Sequence, residues 1–309
     1  MPHTHYFPAD RVQYKWDNRR EPVLAVAPGD TVVFELRDVS DGQIGPESTA
    51  EVMARLDWDR VYPLAGPVWV EAAAPGDALE VEVIDLHTRG WGWAGIIPGL
   101  GLLAEEIPGP YLKIFDLTDA RSTALTPSVR IPIQPFLGTM GVAPAEAGSF
   151  AIMPPGVFGG NMDTRQLVRG SRLRLPVQVK GALFACGDAH AAQGDGEVCV
   201  TGIESPMYAV LRFQLSRGAN LPAPQFWAPA TGHLALHDGT YATTGVGPDL
   251  HTAAKDAVRA MVAHLQEHRG LSREDAYVLC SLAGDLKISE IVDQPNWIVS
   301  MHMPDAVFV

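Results

Sequence analysis

Apolar residues along most of the chain fall in short runs broken by Gly or Pro, which predicts many strands joined by tight turns. Two stretches repeat one plan. Residues 22–30 run into 31–38, and residues 67–77 run into 78–85. Each is an apolar strand, a Pro-Gly-Asp turn (Pro28-Gly29-Asp30 or Pro75-Gly76-Asp77) and an alternating strand, with Val81, Val83 and Asp85 set against Glu82 and Ile84. Pro presets φ at the first central position of such a turn, and Gly accepts a positive φ at the second. The expectation is two β-hairpins related by an internal duplication.

Residues 173–179, 197–203 and 207–215 read as three more strands, which puts 180–196 near a sheet end. The period changes only near the C-terminus. Over 251–268 the set Ala254, Ala257, Val258, Met261, Val262 and Leu265 recurs at three- and four-residue steps, the mark of an amphipathic helix. Gly270 is placed to end it. Ser272, with Asp275 three residues on, then caps a second helix through Ala276, Leu279 and Cys280, and 297–301 closes with a strand. The predicted fold class is mainly β with an α+β part. A jelly-roll-like β-sandwich over residues 1–220 carries the polar motifs, and a C-terminal αβ segment over 221–309 packs against it. The three prolines of 222–229 supply the connection.

The 309 residues, 47% hydrophobic and 19% charged, are enough for a fully folded protein with a large core. A formal net charge of -13 repels phosphates and anionic lipid, so neither a nucleic acid nor a membrane is expected as a partner. No basic-then-apolar leader opens the chain, and no run of about 18 apolar residues occurs. Cys186, Cys199 and Cys280 are scattered and odd in number, so neither a disulfide framework nor a C-x-x-C motif is present, and a cytoplasmic location is expected.

Candidate chemistry is concentrated in two Gly-rich segments. Gly187-Asp188-Ala189-His190-Ala191-Ala192-Gln193-Gly194-Asp195-Gly196-Glu197 interleaves four ionisable groups and an amide with residues small enough to leave space above the backbone. Asp188 and His190 are two apart and share one side of an extended segment; Asp195 and Glu197 repeat the relation. One imidazole with two or three carboxylates is a ligand set for a divalent ion, and a Gly-rich turn whose Asp side chains cap backbone N–H groups is the plainer alternative. In Gly159-Gly160-Asn161-Met162-Asp163, Asn161 and Asp163 can aim an amide and a carboxylate at one point, or form an Asx-turn.

Together these two motifs resemble the signature of the acetamidase/formamidase family. The resemblance extends through Pro28-Gly29-Asp30-Thr31-Val32, Asp41-Gly42-Gln43-Ile44, Gly66-Pro67-Val68, Pro75-Gly76-Asp77, Asp275-Ala276-Tyr277 and Ile291-Val292-Asp293-Gln294-Pro295-Asn296, close to the whole chain. Met162 and Ala74 depart from it, where a smaller residue or Cys and an acidic residue would be expected. The resemblance implies a β-sandwich with an α/β part and hydrolysis of a small linear amide, such as formamide or acetamide, to the acid and ammonia with a divalent metal. Zn²⁺ is the first expectation for that metal, with Ca²⁺ or another divalent ion open. Asp163, Asp188, His190 and Glu197 become its ligand candidates, and Asn161, Gln193 and Asp195 the catalytic and substrate-contacting candidates. The family also suggests a homo-oligomer, for which a dimer is the commonest closed form.

A metal would activate water and polarise the carbonyl, leaving Asp195 as base and Asn161 or Gln193 to hold the amide. A second reading makes Cys186 the nucleophile of a cysteine amidase. A third is a non-catalytic metal-containing β-sandwich that binds a ligand through Trp91, Trp93, Phe226 and Trp227. His3 and His5 read as exposed, His302 as structural, and His233 and His237 as loop positions.

Overall fold

A computed structural model describes residues 1–156, 158–165, 167–194, 196–221, 224–227, 240–290 and 297–308. Asp195, His233, His237 and the motif at 291–296 lie outside the described residues, as do parts of the 222–229 connection and the side chains of Trp227 and His302.

Two six-stranded sheets face each other. The first runs in the order Thr4–Phe7, Thr31–Leu36, Met207–Ser216, Ala78–Thr88, Arg172–Pro176, Gln225–Trp227. The second runs Gly159–Asn161, Phe136–Gly141, Phe184–His190, Leu64–Val70, Val12–Gln13, with Leu24–Val26 also alongside Leu64–Val70. Val32, Phe34 and Leu36 alternate inward from one sheet to meet Leu137, Met140, Phe184 and Cys186 of the other. The rings of Phe34, Phe184 and Phe213 meet at centroid distances of 5.1–6.5 Å, and each such pair adds about 0.5–1.5 kcal/mol beyond area burial. The mainly β reading holds.

The hairpin reading of the two Pro-Gly-Asp stretches is corrected. Leu24–Val26 and Leu64–Val70 are parallel neighbours in one sheet, while Thr31–Leu36 and Ala78–Thr88 flank Met207–Ser216 in the other. Each turn is therefore a corner between sheets. Asp30 Oδ2 accepts from Ala27 N at 3.0 Å and Asp77 Oδ2 from Ala74 N at 3.1 Å, so each carboxylate closes its own corner. The duplication is one of corners, which strand alternation alone does not distinguish from hairpins. A second correction concerns 197–203: turns and irregular backbone replace the expected strand, with Glu197 at φ +38° and Val200 at φ +72°.

The C-terminal part matches its periodicity. Helix α1 (Leu250–Arg269) buries Ala254, Ala257, Val258, Met261, Val262 and Leu265 and ends at Gly270, φ +64°. Helix α2 (Arg273–Ala283) starts where Ser272 accepts from Asp275 N. Both pack on a sheet ordered Thr240–Gly247, Trp297–Pro304, Asp285–Glu290. A separate cluster of Val39, Ile44, Met53, Leu56, Trp93 and Ile97 supplies a further wall beside the site. No helix among the described residues is long and apolar enough to cross a membrane.

Candidate active site

The site begins in three adjacent strands. Phe136–Gly141 pairs on one side with Gly159–Asn161 and on the other with Phe184–His190, which sets Thr139 opposite both Asn161 and Gly187. Strict alternation from Phe184 and Cys186 would send Asp188 and His190 into the sandwich core. Instead the alternation slips at Asp188, whose φ is +52°, and the next core residue is Ala189. The slip turns Asp188 and His190 away from the apolar interior. Asp163 at φ +44° and Glu197 at +38° share this left-handed backbone, which costs a non-glycine residue about 1–3 kcal/mol and persists where the surroundings over-determine it.

Six of the residues singled out in the sequence meet here. His190, wholly buried, has Asp188 Oδ1 3.2 Å from Nε2 and Glu197 Oε1 3.8 Å from Nδ1. Asp163, His190 and Glu197 form one group whose potential ligand atoms lie within 4.8 Å of one another, and Asp188, His190 and Glu204 form another. Gln193 Nε2 donates to the Asp163 carbonyl at 3.0 Å, which turns Gln193 Oε1 toward His190 Nδ1 at 2.7 Å. Nδ1 therefore carries a proton, and Nε2 is the nitrogen free to give its proton up. Asn161 Oδ1 accepts from the Thr139 hydroxyl at 2.6 Å, and that hydroxyl lies 3.3 Å from Asp188 Oδ2.

Glu204 was not singled out in the sequence. It is 2% exposed, with Oε2 3.2 Å from His190 Nε2, and its Oε1 accepts from Gly202 N. Its one signal there is an acidic residue inside the otherwise apolar and small run Gly202-Ile203-Glu204-Ser205. Tyr62 and Thr139 also join the site without a motif to announce them.

Several acidic groups crowded around one buried imidazole repel. Burial, reinforced by the Asp188 charge, raises Asp163 to about 7. Burial likewise raises Glu204 to about 7, with His190 opposing, and holds Glu197 well above the usual carboxylate range. For His190 burial favours the neutral ring, but the Glu204 and Asp188 carboxylates outweigh it and push its pKa well up. Asp163 Oδ1 is buried with no hydrogen-bond partner, and Glu204 Oε2 is buried with only the His190 ring 3.2 Å away. Buried carboxylate oxygens grouped around an imidazole fit a divalent cation, which would repay their desolvation. Gly138 makes room for the group: a Cβ there would stand 2.4 Å from Asp163 Oδ1 and 2.8 Å from Asp188 Oδ2.

Two cavities meet at the cluster. One of about 30 Å³ is lined by Asp188, Glu197 and Glu204 and mostly by aliphatic and aromatic residues. The other is a cleft of about 540 Å³ lined by Asn161, Asp163, Gln193, Glu197 and His251. Gly194, at the cleft's edge, packs so closely on Gly284 at the end of α2 that a Cβ would fall 1.7 Å from the Gly284 carbonyl oxygen, and its N–H donates to Ser281 O. Cys186 lies outside both cavities, wholly buried among the sandwich residues, and burial raises its thiol pKa. Trp93 is buried with Nε1 donating to Asp38, whereas Phe226 is exposed on a sheet edge.

The model of the Acetamidase/Formamidase family matches residues 6–149 and 145–309. The formamidase of Methylophilus methylotrophus is 27% identical over 96% of this chain and 89% of its own length. Among solved structures, gamma lactamase from Delftia acidovorans superposes with a TM-score of 0.91 at 25% identity, covering 97% of this chain and 90% of that one. A predicted acetamidase/formamidase from the thermophile Thermoanaerobacter tengcongensis gives 0.71 at 33% identity, covering 98% and 96%. With its strands, its Gly-rich motifs and both halves of its length accounted for, the chain belongs to the acetamidase/formamidase family of amide hydrolases.

Proposed function

We propose that the protein hydrolyses a small linear amide, formamide- or acetamide-like, to the carboxylic acid and ammonia at a divalent cation, for which Zn²⁺ is the first candidate. The single observation that carries this is the Gln193–His190 hydrogen bond. It leaves Nε2 facing Asp188 and Glu204, and so favours Asp188, His190 and Glu204 as the holding set, with the orphaned Asp163 Oδ1 as a fourth donor. A cation bound there would supply Lewis acidity and lower the pKa of water toward about 7.

The remaining work falls to the chain's own side chains. Glu197 stands outside that set, on the Nδ1 side of His190 and on the wall of both cavities. We assign it the proton-accepting role that the sequence alone gave to Asp195; it would take a proton from water and return it to the departing nitrogen. Gln193 orients His190, and with Asn161 it faces the cleft, where either amide can hold the substrate nitrogen or carbonyl. Three free, buried cysteines support a reducing, cytoplasmic setting. A homodimer remains the assembly we propose.

The test is ammonia release from C1 to C4 amides, with bound metal assayed by mass spectrometry, on the wild type, His190→Ala, Glu204→Gln and Glu197→Gln. The first two substitutions should lose metal and turnover together, whereas Glu197→Gln should keep metal and lose turnover. Full metal content in His190→Ala would refute the assignment. The close superposition on a gamma lactamase favours a second reading, a five-membered cyclic amide, so a γ-lactam belongs in the panel.

A further inference from the structure

The two cavities that meet at the carboxylates differ greatly in size and share part of their walls. Tyr62, Met153, Glu197 and Val200 line both. Tyr62 at φ +63° and Val200 at φ +72° are left-handed, and for β-branched Val200 this is a genuine outlier that tight surroundings must hold in place. The shared wall is therefore a fixed feature of the fold. On one side the small cavity is walled by Val39, Leu56, Trp93 and Ile97, drawn from three segments of the apolar cluster. At about 30 Å³ it has room for two or three water-sized groups, since one needs roughly 10–15 Å³. On the other side the cleft is about 540 Å³ and open to solvent. That volume lies within the range of sites that bury whole organic ligands, and it far exceeds what ammonia requires.

An amide has two ends with different needs. The acyl substituent is apolar and keeps its carbonyl carbon at the reacting groups, whereas the leaving nitrogen must gain a proton and escape to water. The apolar cavity suits the first and the open cleft the second. We propose that the enzyme acts on amides with a short acyl group and a substituted nitrogen, N-alkyl or N-arylalkyl formamides and acetamides. Val39, Leu56 and Ile97 limit the acyl length, and the cleft leaves the amine side unrestricted. Water adds across the C–N bond, giving the carboxylic acid and a primary amine in place of ammonia. The proposal rests on the reading of the carboxylate cluster as an amide-hydrolysing site and adds to it which side of the bond the protein measures.

The experiment compares kcat/KM of the metal-loaded wild type for formamide, acetamide, propionamide and butyramide with that for N-methyl- and N-benzylacetamide, reading the acid and the amine separately. A pocket that measures methylenes discriminates by about 10–200-fold for each one. Butyramide should therefore fall at least 100-fold below acetamide, while N-benzylacetamide stays within tenfold of it. Leu56→Ala should raise butyramide relative to acetamide at least tenfold without changing the N-benzyl ratio, and the milder Ile97→Val should move propionamide in the same direction. Equal rates on acetamide and butyramide, or acetamide turnover with none on N-benzylacetamide, would overturn the proposal and leave amide hydrolysis standing. Inertness toward every amide would overturn both.

Discussion

Gly138→Ala tests the site through a single methyl group. The new Cβ would stand 2.4 Å from Asp163 Oδ1, 2.8 Å from Asp188 Oδ2 and 3.0 Å from the Asp188 carbonyl oxygen. Cβ contacts under 3.0 Å are essentially never seen and 3.4 Å is ordinary, so the Asp163 carboxyl must withdraw by 0.6–1.0 Å. Neither carboxylate has slack, because both sit on left-handed backbone and Asp188 and the Asp163 Oδ1 atom are buried. Overpacking of this kind costs about 1–3 kcal/mol of stability. A catalytic group displaced by about 1 Å loses on the order of 100-fold in rate. We expect both, with weakened metal retention. Urea unfolding gives the first, ammonia release the second and mass spectrometry of bound metal the third. Gly109→Ala, where no atom lies within 4 Å of the added Cβ, is the control and should change stability by less than about 0.5 kcal/mol. A folded Gly138→Ala protein with wild-type metal content and turnover would show that the spacing of Asp163 and Asp188 does not matter.

Stability of the metal-stripped protein should fall between about pH 4 and pH 7. Asp163 and Glu204 rise to about 7 on folding from ordinary carboxylate values, so the native state holds protons the unfolded chain has released, and stability present below about pH 4 is lost as pH climbs through 7. Adding the divalent ion should reverse that slope, and an unchanged slope in chelator would refute the electrostatic account. Cys186→Ala should keep turnover while losing some core stability, and iodoacetamide should not inactivate the wild type; loss of turnover by either route would revive a thiol nucleophile. Tyr277→Phe removes a hydroxyl that donates to the Val198 carbonyl at 2.5 Å and accepts from Leu103 N at 2.8 Å, both buried. It should cost about 1–3 kcal/mol in urea unfolding and lower kcat by loosening the loop that carries Glu197, so wild-type kcat would disconnect the two. Asp195→Asn separates the base candidates: if it abolishes turnover with metal retained while Glu197→Gln does not, the base is Asp195.

What could be read from sequence was whatever has a local cause. The apolar stripe of α1, its glycine stop and the Ser272 cap are set within a few residues of where they act, and they appear as expected. The Gly-rich motifs announced the acidic residues that gather around His190, because space above a backbone needs small residues there. Long-range facts stayed hidden. Nothing in Pro-Gly-Asp says whether the next strand joins the same sheet or the opposite one, since both choices present the same alternation. Glu204 lacks any spacing motif because it reaches His190 through the irregular 197–203 segment, which the sequence suggested as a strand. The left-handed backbone of Asp163, Asp188 and Glu197 was equally invisible, because glycine is the residue that signals it.

The contact between Gly194 and Gly284 bears on how the protein is made. Ribosomal synthesis delivers Asp163, Asp188, His190 and Glu204 at least eighty residues before Gly284 emerges, and the turn that sets Glu197 rests on that later glycine and on Ser281. The sandwich can collapse early, but the site loop has no backing until α2 has been made and docked. Competence is thus withheld from the nascent chain until its last quarter is in hand. A truncated product would carry nearly every candidate residue and still lack the surface on which its loop must close.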